Sequence, residues 1–243
     1  MVNLAITDGG KNFFKIKDMK VARPYVTSIT FTSENTGWIA TDHEAGPIDG
    51  GIMRTDDGGR TFAYVVGGNS KDGAEDGISA IDNIAFPSAE VGFATGPQLD
   101  SGSCLLGTTD GGKTWKQLSR IEPINGISFV DGENGFGIGT IFKQNTLLHT
   151  TDGGATWSVL PSMPDLRRAP VMLSFISSQT GYIICQNDLS ASGVQLSVSL
   201  FKTADGGNTW IKITDIGGDL PEWGPPWYFW MFDAWNEKIE RLR

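Results

Sequence analysis

Between residues 80 and 120 the chain alternates short apolar runs with polar, glycine-rich turns. "AIDNIAF" (80–86) places apolar side chains at alternate positions and stops at the turn-prone "PSAEVG" (87–92). "GFATG" follows, then "CLLGT" after the loop "PQLDSGS", and "TDGG" turns the chain into "TWKQL". Period-two runs bounded by Gly, Pro, Ser and Asp predict β-strands joined by hairpins. No helical periodicity competes with them anywhere in the chain. Four short antiparallel strands in some forty residues are the plan of one propeller blade.

The pattern recurs. Aligned on an aspartate, the chain contains ITDGGKNF (6–13), TDDGGRTF (55–62), TTDGGKTW (108–115), TTDGGATW (150–157) and TADGGNTW (203–210). Asp8, Asp57, Asp110, Asp152 and Asp205 are spaced by 49, 53, 42 and 53 residues, the range of propeller repeats. A second motif, Phe, five mostly polar residues, Gly and an aromatic, precedes four of these boxes: FTSENTGW (31–38), FPSAEVGF (86–93), FVDGENGF (129–136) and FISSQTGY (175–182). A loop made once per repeat belongs to architecture before it belongs to chemistry.

Local chemistry explains both motifs. The box aspartate can accept backbone N–H bonds within its own turn, and the glycines supply φ > 0 without steric cost. The closing Trp115, Trp157 or Trp210 is large enough to fill the seam to an adjacent sheet, burying about 150–250 Å². In the second motif the Phe closes strand one, the Gly is expected to permit the turn, and the aromatic packs beneath it. All five aspartates are read as structural.

The fold expected is all-β, a single propeller domain over 1–243. It has N-terminal blade-closing strands in 1–20, four full repeats over about 25–215 and a Trp-rich closing segment, 216–243. Setting Phe232 against Phe129 brings "FDAWNEKI" (232–239) into register with "FVDGENGF", with Lys238 at the glycine position. C-terminal strands one and two would then complete a composite fifth blade with N-terminal strands three and four, removing free sheet edges. A fragment of a six- or seven-bladed propeller is the alternative.

Composition narrows the function classes. The net charge of −9, with basic residues spread singly apart from Arg167-Arg168, argues against nucleic acid, because no basic run exists to neutralise phosphates. No stretch of 18 apolar residues is present, so no helical span is expected. "MVNLAITDGG" lacks the basic-then-apolar pattern of a leader peptide. Cys104 and Cys185 occupy non-equivalent places in different repeats and read as buried free thiols ahead of a disulfide.

The box pattern S/T-x-D-x-G-x-T-W resembles the Asp-box, or bacterial neuraminidase repeat, of sialidases, xyloglucanases and sortilin-type receptors. With the Phe…Gly-aromatic motif upstream, residues 5–215 most resemble the photosystem II assembly and stability factor family, which implies a β-propeller and a non-catalytic role. A sialidase-like glycoside hydrolase is the alternative. It would require an Arg-Ile-Pro-like motif before the first box, three arginines clamping a carboxylate, and a Tyr/Glu nucleophile pair. "RAP" (168–170) falls after the fourth box, and the chain has eight Arg and four Tyr. A general glycosidase needs two facing carboxylates, and no pair stands out.

Box hairpins join strands three and four, and Phe…Gly turns join strands one and two, so both lie on one face. The variable loops lie on the other, where a site is expected. Asp42, His43, Glu44 and Asp49 share one such loop; Asp72, Glu75 and Asp76 share the next. Neither has a defined cation spacing, so no metal or cofactor is expected. Arg167 and Arg168 could fork onto a carboxylate, and Trp223 and Trp227, in a cluster with Trp230 and Trp235, could anchor a partner. The expected function is a non-catalytic scaffold, a monomer that binds a protein or carbohydrate through this face in an extracellular, cell-surface or periplasmic setting.

Overall fold

The computed structural model of the chain describes residues 4–6, 13–15, 25–42, 50–67, 80–97, 103–121, 124–141, 144–161, 170–186 and 198–216. Every regular element among them is a strand. A short N-terminal hairpin, β1 (Leu4–Ile6) and β2 (Phe13–Lys15), precedes four antiparallel sheets of four strands each. The first blade is β3 (Tyr25–Phe31), β4 (Gly37–Asp42), β5 (Gly51–Thr55) and β6 (Ala63–Gly67). The second is β7 (Asn83–Ala85), β8 (Gly92–Pro97), β9 (Ser103–Thr108) and β10 (Lys116–Ile121). The third is β11 (Ile124–Phe129), β12 (Gly135–Ile141), β13 (Gln144–Thr150) and β14 (Ser158–Val159). The fourth is β15 (Pro170–Phe175), β16 (Gly181–Gln186), β17 (Val198–Thr203) and β18 (Ile211–Ile216). Strand order follows chain order in each sheet. First strands neighbour one another, β3 on β7, β7 on β11 and β11 on β15, so they line the axis of a β-propeller and the fourth strands form its rim.

The second motif is a device for packing one blade on the next. Trp38 stacks on Phe86 at 3.7 Å, Phe93 on Phe129 at 3.6 Å, and Phe136 on Phe175 at 3.4 Å between ring centroids. In the first three blades the motif's terminal aromatic therefore meets the leading Phe of the following blade. That Phe meets its own blade's box tryptophan edge-on, as in Phe86–Trp115, Phe129–Trp157 and Phe175–Trp210. Such geometries contribute about 0.5–1.5 kcal/mol per pair beyond area burial.

The motif glycine differs from the sequence reading. Gly37, Gly92, Gly135 and Gly181 begin strand two and are not among the glycines of positive φ. They are glycines because the leading Phe ring lies across them. A Cβ on Gly37, Gly92 or Gly181 would stand 2.5 Å from a ring carbon of Phe31, Phe86 or Phe175, and Phe129 covers Gly135 in the same way. The glycine is a seat for the ring, not a turn residue. β1 and β2 flank the first box as an antiparallel pair; the C-terminal segment 217–243 lies outside the described residues. Cys104 and Cys185 are both buried and not joined in a disulfide, and the Cys104 thiol donates to Gly96 O at 3.6 Å.

Candidate functional site

The box face comes first, because its aspartates are the most regular acidic groups in the chain. In the fourth box, TTDGGATW of the third blade, Thr150 Oγ1 donates to Asp152 Oδ1 at 2.8 Å and accepts from Gly154 N at 2.9 Å. Thr156 N donates to Oδ1 at 2.9 Å and Thr156 Oγ1 to Oδ2 at 2.6 Å. The same three donors hold Asp57, Asp110 and Asp205. The first box glycine of each blade also donates to the turn between strands one and two. Gly58 bonds Asn35 O, Gly111 Glu90 O, Gly153 Glu133 O and Gly206 Gln179 O, each at 2.9 Å. These carboxylates are occupied within their own turns, and the first box glycine ties that turn to the neighbouring hairpin. The sequence reading foresaw the backbone donors and missed the two threonine hydroxyls. Asp8 lies outside the described residues.

Those hydrogen bonds favour the charged form. Thr156 and Thr150 hold the Asp152 carboxyl at about 2, against an ordinary 3.8, and Thr209 and Thr203 do the same for Asp205. The Thr61 amide and hydroxyl, with Thr55, bring Asp57 to about 2, and Asp110 is lowered likewise. A depressed carboxyl stabilises the fold above its unfolded value, and that contribution is lost as pH falls through the folded value. The melting temperature is therefore expected to drop steeply between about pH 4 and pH 2. In a variant carrying Asp152→Asn and Asp205→Asn the drop should be shallower; an unchanged slope in thermal melts would refute this.

The opposite face carries a different carboxylate pair, at the seam of the first two blades. Asp42 ends β4, and Asp82 immediately precedes β7. The stem of the second blade is tied to the first here: Ile81 N donates to Thr41 O at 3.1 Å and Thr27 Oγ1 to Ile81 O at 2.6 Å. Asp82 N donates to Thr95 O at 2.7 Å, fixing the residue in its own blade. Burial, followed by repulsion from Asp42, pushes the Asp82 carboxyl up to about 6. Asp42 is a sequence-predicted residue; Asp82 was missed. Its signal was a charged residue between Ile81 and the apolar positions of strand one, where the strand lines the axis.

Of the other predicted residues, His43, Glu44, Asp49, Asp72, Glu75, Asp76, Arg167, Arg168, Trp223 and Trp227 lie outside the described residues. The structure does place the stems of both acidic loops. Residues 43–49 leave from Asp42, and 68–79 lead into Ala80, Ile81 and Asp82. Among the described residues no group of three His, Cys, Asp or Glu could hold a metal ion, and no helix is long and apolar enough to cross a membrane.

The family model described as photosynthesis system II assembly factor YCF48 matches residues 74–214. No curated protein matches the chain. Among solved structures, YCF48 bound to a D1 peptide is 14% identical, with 78% of this chain and 82% of that one covered and a TM-score of 0.43. A GH74 enzyme from Niastella koreensis is 16% identical over 77% of this chain, at a TM-score of 0.50. This chain spans 38% of that enzyme. The α-L-arabinofuranosidase Arb93A from Fusarium graminearum, in complex with an iminosugar inhibitor, is 13% identical. Its match covers 80% of this chain and 69% of that one at a TM-score of 0.55. Both glycosidase likenesses are of fold alone.

Proposed function

Because the chain belongs to the photosynthesis system II assembly factor YCF48 family, we propose that it is a non-catalytic scaffold that holds a segment of a protein partner on the face opposite the boxes. The observation that carries this reading is the contrast between the two faces. Box carboxylates are saturated by their own turns, whereas Asp82 is desolvated and pressed by Asp42 with no described cation lowering it. An incoming Lys or Arg would relieve that repulsion. Asp42 is followed in sequence by His43, Glu44 and Asp49, and Asp72, Glu75 and Asp76 precede the stem at Ala80, an acidic excess that suits a basic partner segment. Arg167, Arg168, Trp223 and Trp227 are proposed to contribute along the same face.

Peptide arrays of Lys/Arg-rich, Asp/Glu-rich and neutral sequences test the reading by binding to the full chain. Basic peptides are expected to bind, to weaken as pH falls through about 6 when Asp82 takes up its proton, and to weaken in the Asp42→Asn, Asp82→Asn variant. Preference for acidic peptides, or sugar release from aryl glycosides abolished by the same substitutions, would overturn it. The raised carboxyl also has a cost to the fold, since a group with its pKa raised on folding destabilises above that value. Asp82→Asn should therefore raise the melting temperature at pH 7 and lose that advantage below about pH 4.

A further inference from the structure

One buried threonine departs from the rest. Thr41 Oγ1 donates to Gly51 O at 3.1 Å and accepts from Gly51 N at 2.9 Å. Thr55, Thr108, Thr150 and Thr203 each donate to a box aspartate at 2.8 Å. Thr95, in β8, is fully buried, and its hydroxyl meets no hydrogen-bond partner. The same position is apolar in the other blades. Three residues after the motif glycine, Thr95 falls level with Ala40, Ile138 and Ile184, all of them in core clusters. A hydroxyl placed there loses its hydration and gains no bond in exchange. Such a group calls for an occupant.

The register fixes where the hydroxyl opens. Thr95 lies opposite Asn83 on one side and Leu105 on the other, and cross-strand partners share a face of the sheet. Leu105 packs with Ile124, Ile127 and Phe129 of the third blade. The Thr95 hydroxyl therefore faces the seam between the second and third blades, with Asn83, half-buried on the first strand, beside it. The carboxamide of Asn83 brings donors and an acceptor to the same place, yet Thr95 does not bond to it. Neither side chain is charged, so the occupant is neutral and must both donate and accept. It is also small: threonine has one heavy atom fewer than the isoleucine of the third and fourth blades, and a water oxygen restores the count. We propose that one ordered water is bound at this seam, bridging the Thr95 hydroxyl and the Asn83 carboxamide. Two polar partners are enough to hold a buried water. Asp82 N donates to Thr95 O at 2.7 Å, so the bridge secures the strand at the residue next to Asp82 and steadies the backbone that carries its carboxyl.

A high-resolution crystal structure of the full chain tests this directly. It is expected to show one water within hydrogen-bond distance of both Thr95 Oγ1 and the Asn83 side chain, and no water there in Thr95→Val. A seam without water, or an ion in its place, would overturn the proposal. Stability gives an independent readout whose sign decides. Thr95→Val keeps the shape of the side chain, and with the water bound it removes one anchor and leaves the Asn83 carboxamide short of a partner. The melting temperature is then expected to fall by about 2–4 °C. Without the water the same substitution only removes an unpartnered hydroxyl, so a rise would count against the site. Asn83→Ala should cost less in the Thr95→Val background than in the parent, because both act through one water; strict additivity would refute the bridge.

Discussion

Replacing Phe136 with alanine is expected to destabilise the protein by about 3–5 kcal/mol, the range for emptying a large buried aromatic site. Phe136 is fully buried, lies 3.4 Å from Phe175 at 3° between planes, and is flanked by His149 at 4.6 Å. It belongs to a cluster that joins the third and fourth blades through Leu147, Leu173, Ile183, Cys185 and Phe201. Truncation therefore removes apolar surface from both blades at once and leaves a void that the surrounding strands close only in part. Against a total stability of about 5–15 kcal/mol, this is a large fraction, and a chain of this size should lose roughly 6–20 °C in melting temperature. Val159→Ala, at a site 62% exposed, is the control and should stay within about 0.5 kcal/mol of the parent. A second readout distinguishes loss of the stack from general loosening. Burial depresses the His149 imidazole, so the parent loses stability as pH falls below about 6.5, where the unfolded chain takes up the proton more readily. In Phe136→Ala, water reaches that ring, and its NMR titration should move back toward the ordinary value. A small melting shift with an unchanged His149 titration would mean that the aromatic ladder is not what joins the blades.

The motifs that build the ladder were legible in the sequence because their parts are chemically restrictive, but the pairing of a terminal aromatic with the Phe of the next blade was not. A ring must be aromatic, its seat must lack a Cβ, and the spacing of six and seven residues is fixed by one hairpin. What sequence could not supply was the reason for the spacing. Gly37 and its equivalents looked like turn residues, since a contact between residues six apart is visible only once the hairpin closes the ring over the glycine. The box threonines are a similar case. Thr150 and Thr156 are visible in the motif, but that one accepts from Gly154 while both donate to Asp152 follows from the folded turn. Asp82 was hidden for a different cause. Its carboxyl is perturbed by burial and by Asp42, forty positions earlier, and only the tie between Ile81 and Thr41 brings the two blades' stems together. The acidic loops were readable as composition and as sharing a face, and the meeting of their stems at one seam was not, because it depends on the tie between Ile81 and Thr41.

Gly154→Ala should be the most damaging single-atom change in the boxes, costing roughly 2–5 kcal/mol. Two penalties add. Gly154 has φ of 85°, a region where a Cβ costs about 1–2 kcal/mol. The new Cβ would also run into Leu105 Cδ2, the end of a fully buried side chain on β9 of the preceding blade, and overpacking of this kind costs about 1–3 kcal/mol. Gly153→Ala separates the two. It shares the backbone problem, with φ of 69°, but its nearest described neighbour is Gly132 O at 3.0 Å, within its own blade. It should cost about 1–2 kcal/mol. The interblade part can be isolated with Leu105→Ala, which alone removes a buried leucine at about 2–5 kcal/mol. In the double variant the alanine at 154 meets the space that Leu105 vacates. The double should thus fall short of the sum of the singles by about 1–3 kcal/mol, the size of the removed clash. Chemical denaturation of the four proteins gives the coupling directly. Strict additivity would reduce the second box glycine to a turn residue. The expected coupling makes it a site shaped by its neighbour: the boxes of the second, third and fourth blades close their own hairpins and receive Trp38, Leu105 and Leu147 from the blade before.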